Sequence, residues 1–176
     1  MSETTTSGLY PLGDRRLEGG GLLREAQLAY VIWGELNACR DNLIILPSYY
    51  TGRPDSYAPL VGPGCTFDSD RFCVVGLGLF GNGVSTSPSN AVAEQQGGAF
   101  PRVRLRDAVA AQYEFVREAL GASSVALVAG WSMGGMQAFQ WAADYPAYVR
   151  RLLPWCATAR CSGPNQVFLH GLRAAL

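Results

Sequence analysis

The sequence predicts an α/β fold with a mostly parallel, doubly wound sheet, and two observations predict it. Short apolar runs alternate with segments that have helical character, and two of the runs are apolar throughout. The apolar runs are 27–34, 42–47, 71–79, 123–129 and 149–157, and the helical segments are 103–120, 136–143 and 166–176. Strands that alternate with helices imply parallel neighbours in one sheet.

The composition of the first three strands indicates how they lie in the sheet. Gln27 to Gly34 is aromatic and β-branched. Asn42 to Pro47 is a continuous apolar run, as expected for a strand that is covered on both faces, and Arg71 to Leu79 is the next buried strand. Residues 1–26 precede the first strand and are assigned as an N-terminal extension, and residues 27–176 as the folded domain.

The helices follow from periodicity and from their end signals. The segment from Val103 to Leu120 has one apolar face and is closed by Gly121. The residues on that face are Leu105, Ala108, Val109, Gln112, Val116, Ala119 and Leu120. A second helix is expected to end near Asp144, before Tyr145-Pro146, and a last one from Gln166 to Leu176.

The sequence Gly130-Trp131-Ser132-Met133-Gly134 is a GxSxG motif between a strand and a helix. In a nucleophile elbow, this motif turns a strand sharply into a helix and holds the serine hydroxyl at the tip of the sheet. The serine backbone is strained there, and side chains at the two glycine positions would collide with neighbouring elements. The start of the helix also favours the negative charge of an acyl-transfer intermediate. Ser132 is therefore the candidate nucleophile.

A structural Gly-Ser turn is the alternative explanation of the motif, since three fixed positions recur by chance in a chain with 21 glycines. The strand before the motif and the breaker-free segment after it favour the elbow. Ligands bind at the carboxyl ends of parallel strands. The loops 48–52 and 81–89 and the elbow are therefore expected to converge on one edge of the sheet.

Charge and composition exclude several classes of function. Fourteen basic and fourteen acidic residues cancel, without a run of Lys or Arg, so neither nucleic acid nor a membrane is expected as a partner. No apolar stretch approaches the roughly 18 residues of a membrane span, and a cytoplasmic protein is expected. The five cysteines lack CxxC spacing, which predicts free thiols and no metal site, with Cys73 and Cys156 in the core.

Further motifs surround the elbow in a characteristic order. They are Val61-Gly62-Pro63-Gly64, Phe67-Asp68, Asp70-Arg71, Ser87-Pro88-Ser89, Phe100-Pro101, Arg106-Asp107, SMGGMQA from Ser132, Trp141-Ala142, Tyr145-Pro146 and Val149-Arg150-Arg151. With these residues the chain resembles the α/β-hydrolase superfamily, and within it the homoserine O-acetyltransferase family, over roughly residues 28–176. The resemblance implies that an acyl group moves from an acyl-CoA such as acetyl-CoA to a hydroxyl through a serine acyl-enzyme, without a permanently bound cofactor.

Two departures from that family concern the substrate. Trp131 stands where the family has glycine, and residues 47–52 replace a segment that contains histidine. The resemblance still implies an oxyanion hole of backbone N–H groups, from Met133 and from Tyr49 or Tyr50. Trp131 and the tyrosine pair predict a more aromatic pocket and an acceptor other than homoserine. Arg173 aligns with an arginine of the family and is either a pocket residue or a surface charge.

The third departure concerns the general base and its orienting acid. His170 is the only histidine, and Asp144 is the only acid after Ser132. Asp144 lies twelve residues along the elbow helix, about 18 Å of axial rise from the nucleophile, whereas a base must lie within about 3 Å of it. The resemblance implies that both groups come after later strands. The sequence is therefore expected to be the N-terminal part of the fold, without its last strands and lid.

Three functions remain open at this point. The first is an acyltransferase, in the complete protein. The second is a serine esterase of the same fold, in which water replaces the hydroxyl acceptor. The third is a non-catalytic binding or interaction module, whose last strand would leave an unpaired edge for a second copy or for a completing polypeptide.

Overall fold

Six strands form one sheet in the computed structural model, which describes residues 5–175. The strands are β1 (Thr5–Arg16), β2 (Leu22–Trp33), β3 (Leu43–Pro47), β4 (Cys73–Leu77), β5 (Val125–Trp131) and β6 (Leu152–Trp155). Their order is β1-β2-β4-β3-β5-β6. The pairs from β4 to β6 are parallel, whereas β2 is antiparallel to β1 and β4. The prediction of a mostly parallel α/β sheet is confirmed.

The N-terminal residues contribute to this sheet, which the sequence analysis did not foresee. The boundary placed after residue 26 falls inside β2, and β1 pairs with β2 over most of its length. β1 is an edge strand with mostly exposed residues, and its register shifts near Pro11 and Gly13. Proline and glycine are tolerated at edges and bulges, so this strand lacks the alternating pattern by which strands are predicted.

β3 and β4 are the centre of the domain, because all ten of their residues are buried. One face of the sheet packs against the helices, through residues such as Ile45, Val75 and Trp141. The other face, with Ile44 and Val74, is covered by the connection between β3 and β4. This connection contains a short 3-10 helix, Ala58–Leu60. Both faces are thus closed, as the continuous apolar runs predict.

Within residues 5–175, three α-helices follow in the second half of the chain, and two of them pack on the sheet. They are α1 (Leu105–Glu114), which continues as a π-helical turn over Phe115–Ala119, α2 (Met133–Asp144) and α3 (Gly163–Ala174). α1 and α2 contact each other and share one face of the sheet. α3 buries no residue. Short 3-10 helices also occur at Ala93–Gln95 and Gly97–Ala99.

The two cysteines expected in the core differ in their environment. Cys73 is buried at the start of β4, and burial raises the pKa of its thiol to about 12. Cys156 is exposed, so that expectation was wrong, because β6 ends at Trp155 and the chain turns out of the sheet. Among residues 5–175, no cluster of three metal-ligating side chains occurs. No helix within this range has the length and apolarity to cross a membrane.

Asp107 joins the β1–β2 turn to the start of α1. Its buried carboxylate accepts hydrogen bonds from the backbone amides of Arg104 (2.8 Å) and Glu18 (2.7 Å). We expect Asp107→Ala to lower the free energy of unfolding by about 1–2 kcal/mol, because both amides lose their acceptor. Urea-induced unfolding measures this loss. The exposed Glu118 provides the control, and equal midpoints for Asp107→Ala and Glu118→Ala would contradict the role of this cap.

Candidate active site

Ser132 lies at the junction of β5 and α2 with a strained backbone. Its φ and ψ angles are 54° and −120°, a region that non-glycine residues rarely adopt. Its N–H donates to the carbonyl oxygen of Trp155 in β6 (3.1 Å), and its own carbonyl accepts from the amide of Met136 (3.1 Å). This conformation after a strand and at the first turn of a helix is that of a nucleophile elbow.

The glycines of the motif allow α2 to start against the ends of β3 and β5. A Cβ atom at Gly134 would lie 2.4 Å from the carbonyl oxygen of Pro47 and 2.9 Å from the hydroxyl of Tyr57. A Cβ atom at Gly130 would lie 2.3 Å from the carbonyl carbon of Gly134. Nonbonded contacts this short are essentially never observed for a Cβ atom. Only glycine at these two positions permits the turn around Ser132.

Tyr57 bridges β3 and β5 where the two strands separate. Their last paired residues are Ile45 and Val128. Further along, the Tyr57 hydroxyl accepts from the amide of Trp131 (3.0 Å) and donates to the carbonyl of Pro47 (3.2 Å). The side chain is buried, and burial raises the pKa of its hydroxyl. Tyr57 therefore stays protonated at neutral pH and keeps the proton that it donates.

The loop after β3 borders the elbow through its aromatic residues. The Tyr49 ring meets Trp131 edge-on at 4.9 Å between centroids. Trp131 is 42% exposed and Tyr50 is 71% exposed. The side-chain amide of Asn82 donates to the carbonyl of Tyr49 (3.3 Å) and to that of Gly52. The loops 48–52 and 81–89 thus meet beside the elbow, at the predicted edge of the sheet.

A cavity of about 350 Å³ lies beside the elbow, at Met133. It is lined by Tyr50, Leu79, Phe80, Gly81, Asn82, Val103, Arg104, Leu105, Ala108, Met133 and Met136. Tyr50 and Met133, two of the predicted oxyanion residues, share this cavity. The amides in the first turn of a helix have no intrahelical acceptor, and the positive end of the helix dipole favours negative charge there. A larger groove of about 660 Å³ lies between β1, β2 and residues 53–58 and contains no elbow residue.

The structure does not bring the other candidate residues to Ser132. Asp144 is at the far end of α2, where it accepts hydrogen bonds from Arg106 (3.1 Å) and Gln140 (2.8 Å) and forms an ion pair with Arg106. His170 and Arg173 are exposed on α3. Within residues 5–175, neither of them forms a hydrogen bond with the elbow. These residues leave Ser132 without a general base and without an orienting acid.

Two residues that support the elbow were missed by the sequence analysis. Tyr57 lies in an irregular connection, where periodicity gives no information. Gln137 is fully buried on α2 and donates to the carbonyl of Ser48 (2.8 Å). A polar residue on an apolar helix face could have indicated such a role. The helical spacing predicted that Gln112 lies on the apolar face of its helix, but it did not predict a partner for its amide. In the structure, Gln112 is the hydrogen-bond partner of Gln137.

Comparison with known proteins identifies relatives of two kinds. A family model described as the alpha/beta hydrolase fold matches residues 41–172. The chain is 36% identical over 169 residues to an ethyl acetate hydrolase from Pseudomonas veronii, and this alignment covers 96% of this chain and 48% of that protein. It is 37% identical over 193 aligned positions to a homoserine O-acetyltransferase from Thermobifida fusca, and this alignment covers 93% of this chain and 51% of that protein.

The solved structure of the acetyl esterase MekB superposes on this fold with a TM-score of 0.91 at 35% identity. The match covers 95% of this chain and 49% of that one. The chain therefore spans about half the length of the curated relatives and of the solved structure that it matches.

Removing the Tyr57 hydroxyl tests its bridging role. We expect Tyr57→Phe to lower the free energy of unfolding by about 1–3 kcal/mol, because the substitution removes the hydrogen-bond partner of the partly buried Trp131 amide and of the buried Pro47 carbonyl. Chemical denaturation followed by tryptophan fluorescence measures the loss. Tyr50→Phe is the matched control, since its exposed side chain can lose the hydroxyl without such a loss. A Tyr57→Phe protein as stable as this control would contradict the bridge.

Proposed function

Because the chain belongs to the alpha/beta hydrolase fold family, we propose that Ser132 is the nucleophile of a serine acyl-transfer reaction. The observation that carries the proposal is the strained conformation of Ser132 at the first turn of α2, beside a cavity. Backbone strain in a folded protein costs about 1–3 kcal/mol and is concentrated at functional sites. A structural Gly-Ser turn would not require glycines that fit so closely against Pro47 and Tyr57.

The oxyanion of the tetrahedral intermediate is proposed to bind between two backbone amides. Met133 provides one of them, at the start of α2, and Tyr49 or Tyr50 provides the other. Donors fixed in advance at the site of developing charge are usually the largest single contribution to this kind of catalysis. Two features support this assignment. Met133 and Tyr50 line the same cavity, and the Tyr49 ring contacts Trp131 next to the nucleophile.

The proposed reaction has two steps. The Ser132 oxygen bonds to the acyl carbon of the substrate, the bond to the leaving group breaks, and the serine proton passes through a base to that group. Water then attacks the acyl-enzyme, gives one proton to the base, and releases a carboxylic acid while the Ser132 hydroxyl is restored. Each step needs a histidine and a carboxylate that orients it.

We propose that a further polypeptide segment supplies this base and this acid. Among residues 5–175, neither His170 nor Asp144 is placed to act on Ser132, and the matched relatives are about twice as long. The apolar side chains exposed on α3 and β6 support the same proposal. They are Leu153, Val167, Phe168, Leu169 and Leu172. A completing segment or a second copy of the chain would cover them.

Water is the acceptor that we favour, which makes the complete protein an esterase for short acyl esters. This preference rests on Trp131 and the tyrosine pair, which depart from the homoserine O-acetyltransferase pattern, and on the two relatives named as a hydrolase and an esterase. Transfer from an acyl-CoA such as acetyl-CoA to a hydroxyl is the second candidate. It is supported by the SMGGMQA motif and by the homoserine O-acetyltransferase relative.

Product analysis with the native gene product tests both candidates. An acetyl ester and acetyl-CoA are supplied with and without alcohols, and acetate and new esters are quantified. We expect Ser132→Ala to reduce turnover by at least about 10³-fold, because the acyl-enzyme cannot form. Acetate independent of added alcohol supports the esterase, whereas acetyl esters that require the alcohol support the transferase.

The control for this experiment is Ser162→Ala, an exposed serine before α3 whose side chain makes no capping hydrogen bond. Turnover by Ser132→Ala at the wild-type level would contradict the proposal that Ser132 is the nucleophile. The non-catalytic module would then be favoured. Labelling with a fluorophosphonate separates these outcomes further, because an activated Ser132 reacts with the probe and an inert serine does not.

A further inference from the structure

A chain of side-chain hydrogen bonds runs under the elbow from α2 to the loop after β3. The indole N–H of Trp141 donates to the Gln112 Oε1 (2.9 Å), and the Gln112 Nε2 donates to the Gln137 Oε1 (2.7 Å). The Gln137 Nε2 in turn donates to the carbonyl oxygen of Ser48 (2.8 Å). Trp141, Gln112, Gln137 and Ser48 are all fully buried.

The order of donors and acceptors along these hydrogen bonds is fixed by Trp141. An indole N–H can only donate, so the amide oxygen of Gln112 must face Trp141. The amide nitrogen of Gln112 therefore faces Gln137, and it also donates to the carbonyl of Gly78 at the end of β4 (3.1 Å). Gln137 must accept from Gln112 with its oxygen, which leaves its nitrogen for Ser48. Neither glutamine can turn its amide over without bringing two donors or two acceptors together.

The hydrogen bond from Gln137 to Ser48 acts on the peptide group that contains the Tyr49 amide, one of the two candidates for the second oxyanion donor. The carbonyl of Ser48 and the amide of Tyr49 belong to one planar trans peptide and point in opposite directions. Holding the Ser48 oxygen therefore fixes the direction of the Tyr49 N–H. The Ser48 amide is held as well, because it donates to the carbonyl of Leu77 (2.8 Å). Tyr57 holds the preceding Pro47 carbonyl.

We propose that Gln137 is a positioning residue for the oxyanion hole, and this inference rests on the proposed serine chemistry. Gln137 lies five residues after Ser132 in the same helix, so one rigid element carries the nucleophile and holds the opposite side of the hole. Gln112 and Trp141 set the orientation of its amide. The backbone N–H of the loop 48–52 is thus already directed towards the oxyanion before the reaction, so no free energy is needed to reorient it as the tetrahedral intermediate forms.

The test compares Gln137→Met and Gln137→Leu with the same substitutions at Gln140. Gln140 is a glutamine of the same helix, but it donates to Asp144 at the far end of α2. Methionine keeps the length of the side chain and leucine keeps part of its volume, and neither can donate a hydrogen bond to the Ser48 carbonyl. The protein is the native gene product, with a short acetyl ester as the substrate.

We expect both Gln137 variants to lower kcat by about 10–100-fold while KM changes by less than about twofold. A misdirected oxyanion donor weakens the stabilisation of the transition state, which carries the oxyanion, and leaves the binding of the ground-state substrate unchanged. The Gln140 variants should keep the wild-type kcat. A Gln137 variant that matches its Gln140 counterpart, or one that raises KM with an unchanged kcat, would overturn the proposal.

Amide hydrogen exchange of residues 48–52 gives a second readout that requires no catalysis. We expect exchange there to be at least about tenfold faster in Gln137→Met than in Gln140→Met, with the exchange of β3 and β4 unchanged in both. Equal rates in residues 48–52 would overturn the positioning role even if kcat fell. If wild-type protein shows no turnover that depends on Ser132, the proposed function fails, and the exchange comparison alone decides whether Gln137 holds this loop.

Discussion

The close approach of α2 to the ends of β3 and β5 is the constraint on which the candidate site depends. Gly134 lies against the Pro47 carbonyl, and Gly130 lies against Gly134, with no room for a Cβ atom at either. This contact brings the start of a helix to the open end of a parallel sheet, where backbone groups are otherwise unpaired. Ser132 joins β5 to α2 at this contact, and its backbone is strained there.

The surrounding polar groups are arranged around the same contact. Tyr57 pairs the backbone groups that β3 and β5 leave unpaired as they separate, and Gln137 pairs the next carbonyl along the chain. Buried polar groups without partners cost about 1–3 kcal/mol each. Tyr57 and Gln137 therefore stabilise the opening between the two strands.

Periodicity and local motifs account for what the sequence could predict. The buried runs of β3 and β4 and the GxSxG motif indicated the sheet and the elbow, because burial and strain leave local patterns. β1 could not be predicted, since an edge strand with Pro11 and Gly13 needs no alternation. The roles of Tyr57 and Gln137 depend on partners between 10 and 89 residues away, and the residues next to them in the sequence do not identify those partners.

The proposed oxyanion hole consists of backbone groups, whereas the side chains around it face outwards. Tyr50 is largely exposed and Trp131 partly exposed, and neither of their side chains forms a hydrogen bond within residues 5–175. A substitution at Tyr50 can therefore change the lining of the cavity while the turn and its amides stay the same. Such a separation lets substrate preference diversify during evolution at little risk to the chemistry. A family that includes both hydrolases and acetyltransferases among its members is what this arrangement would produce.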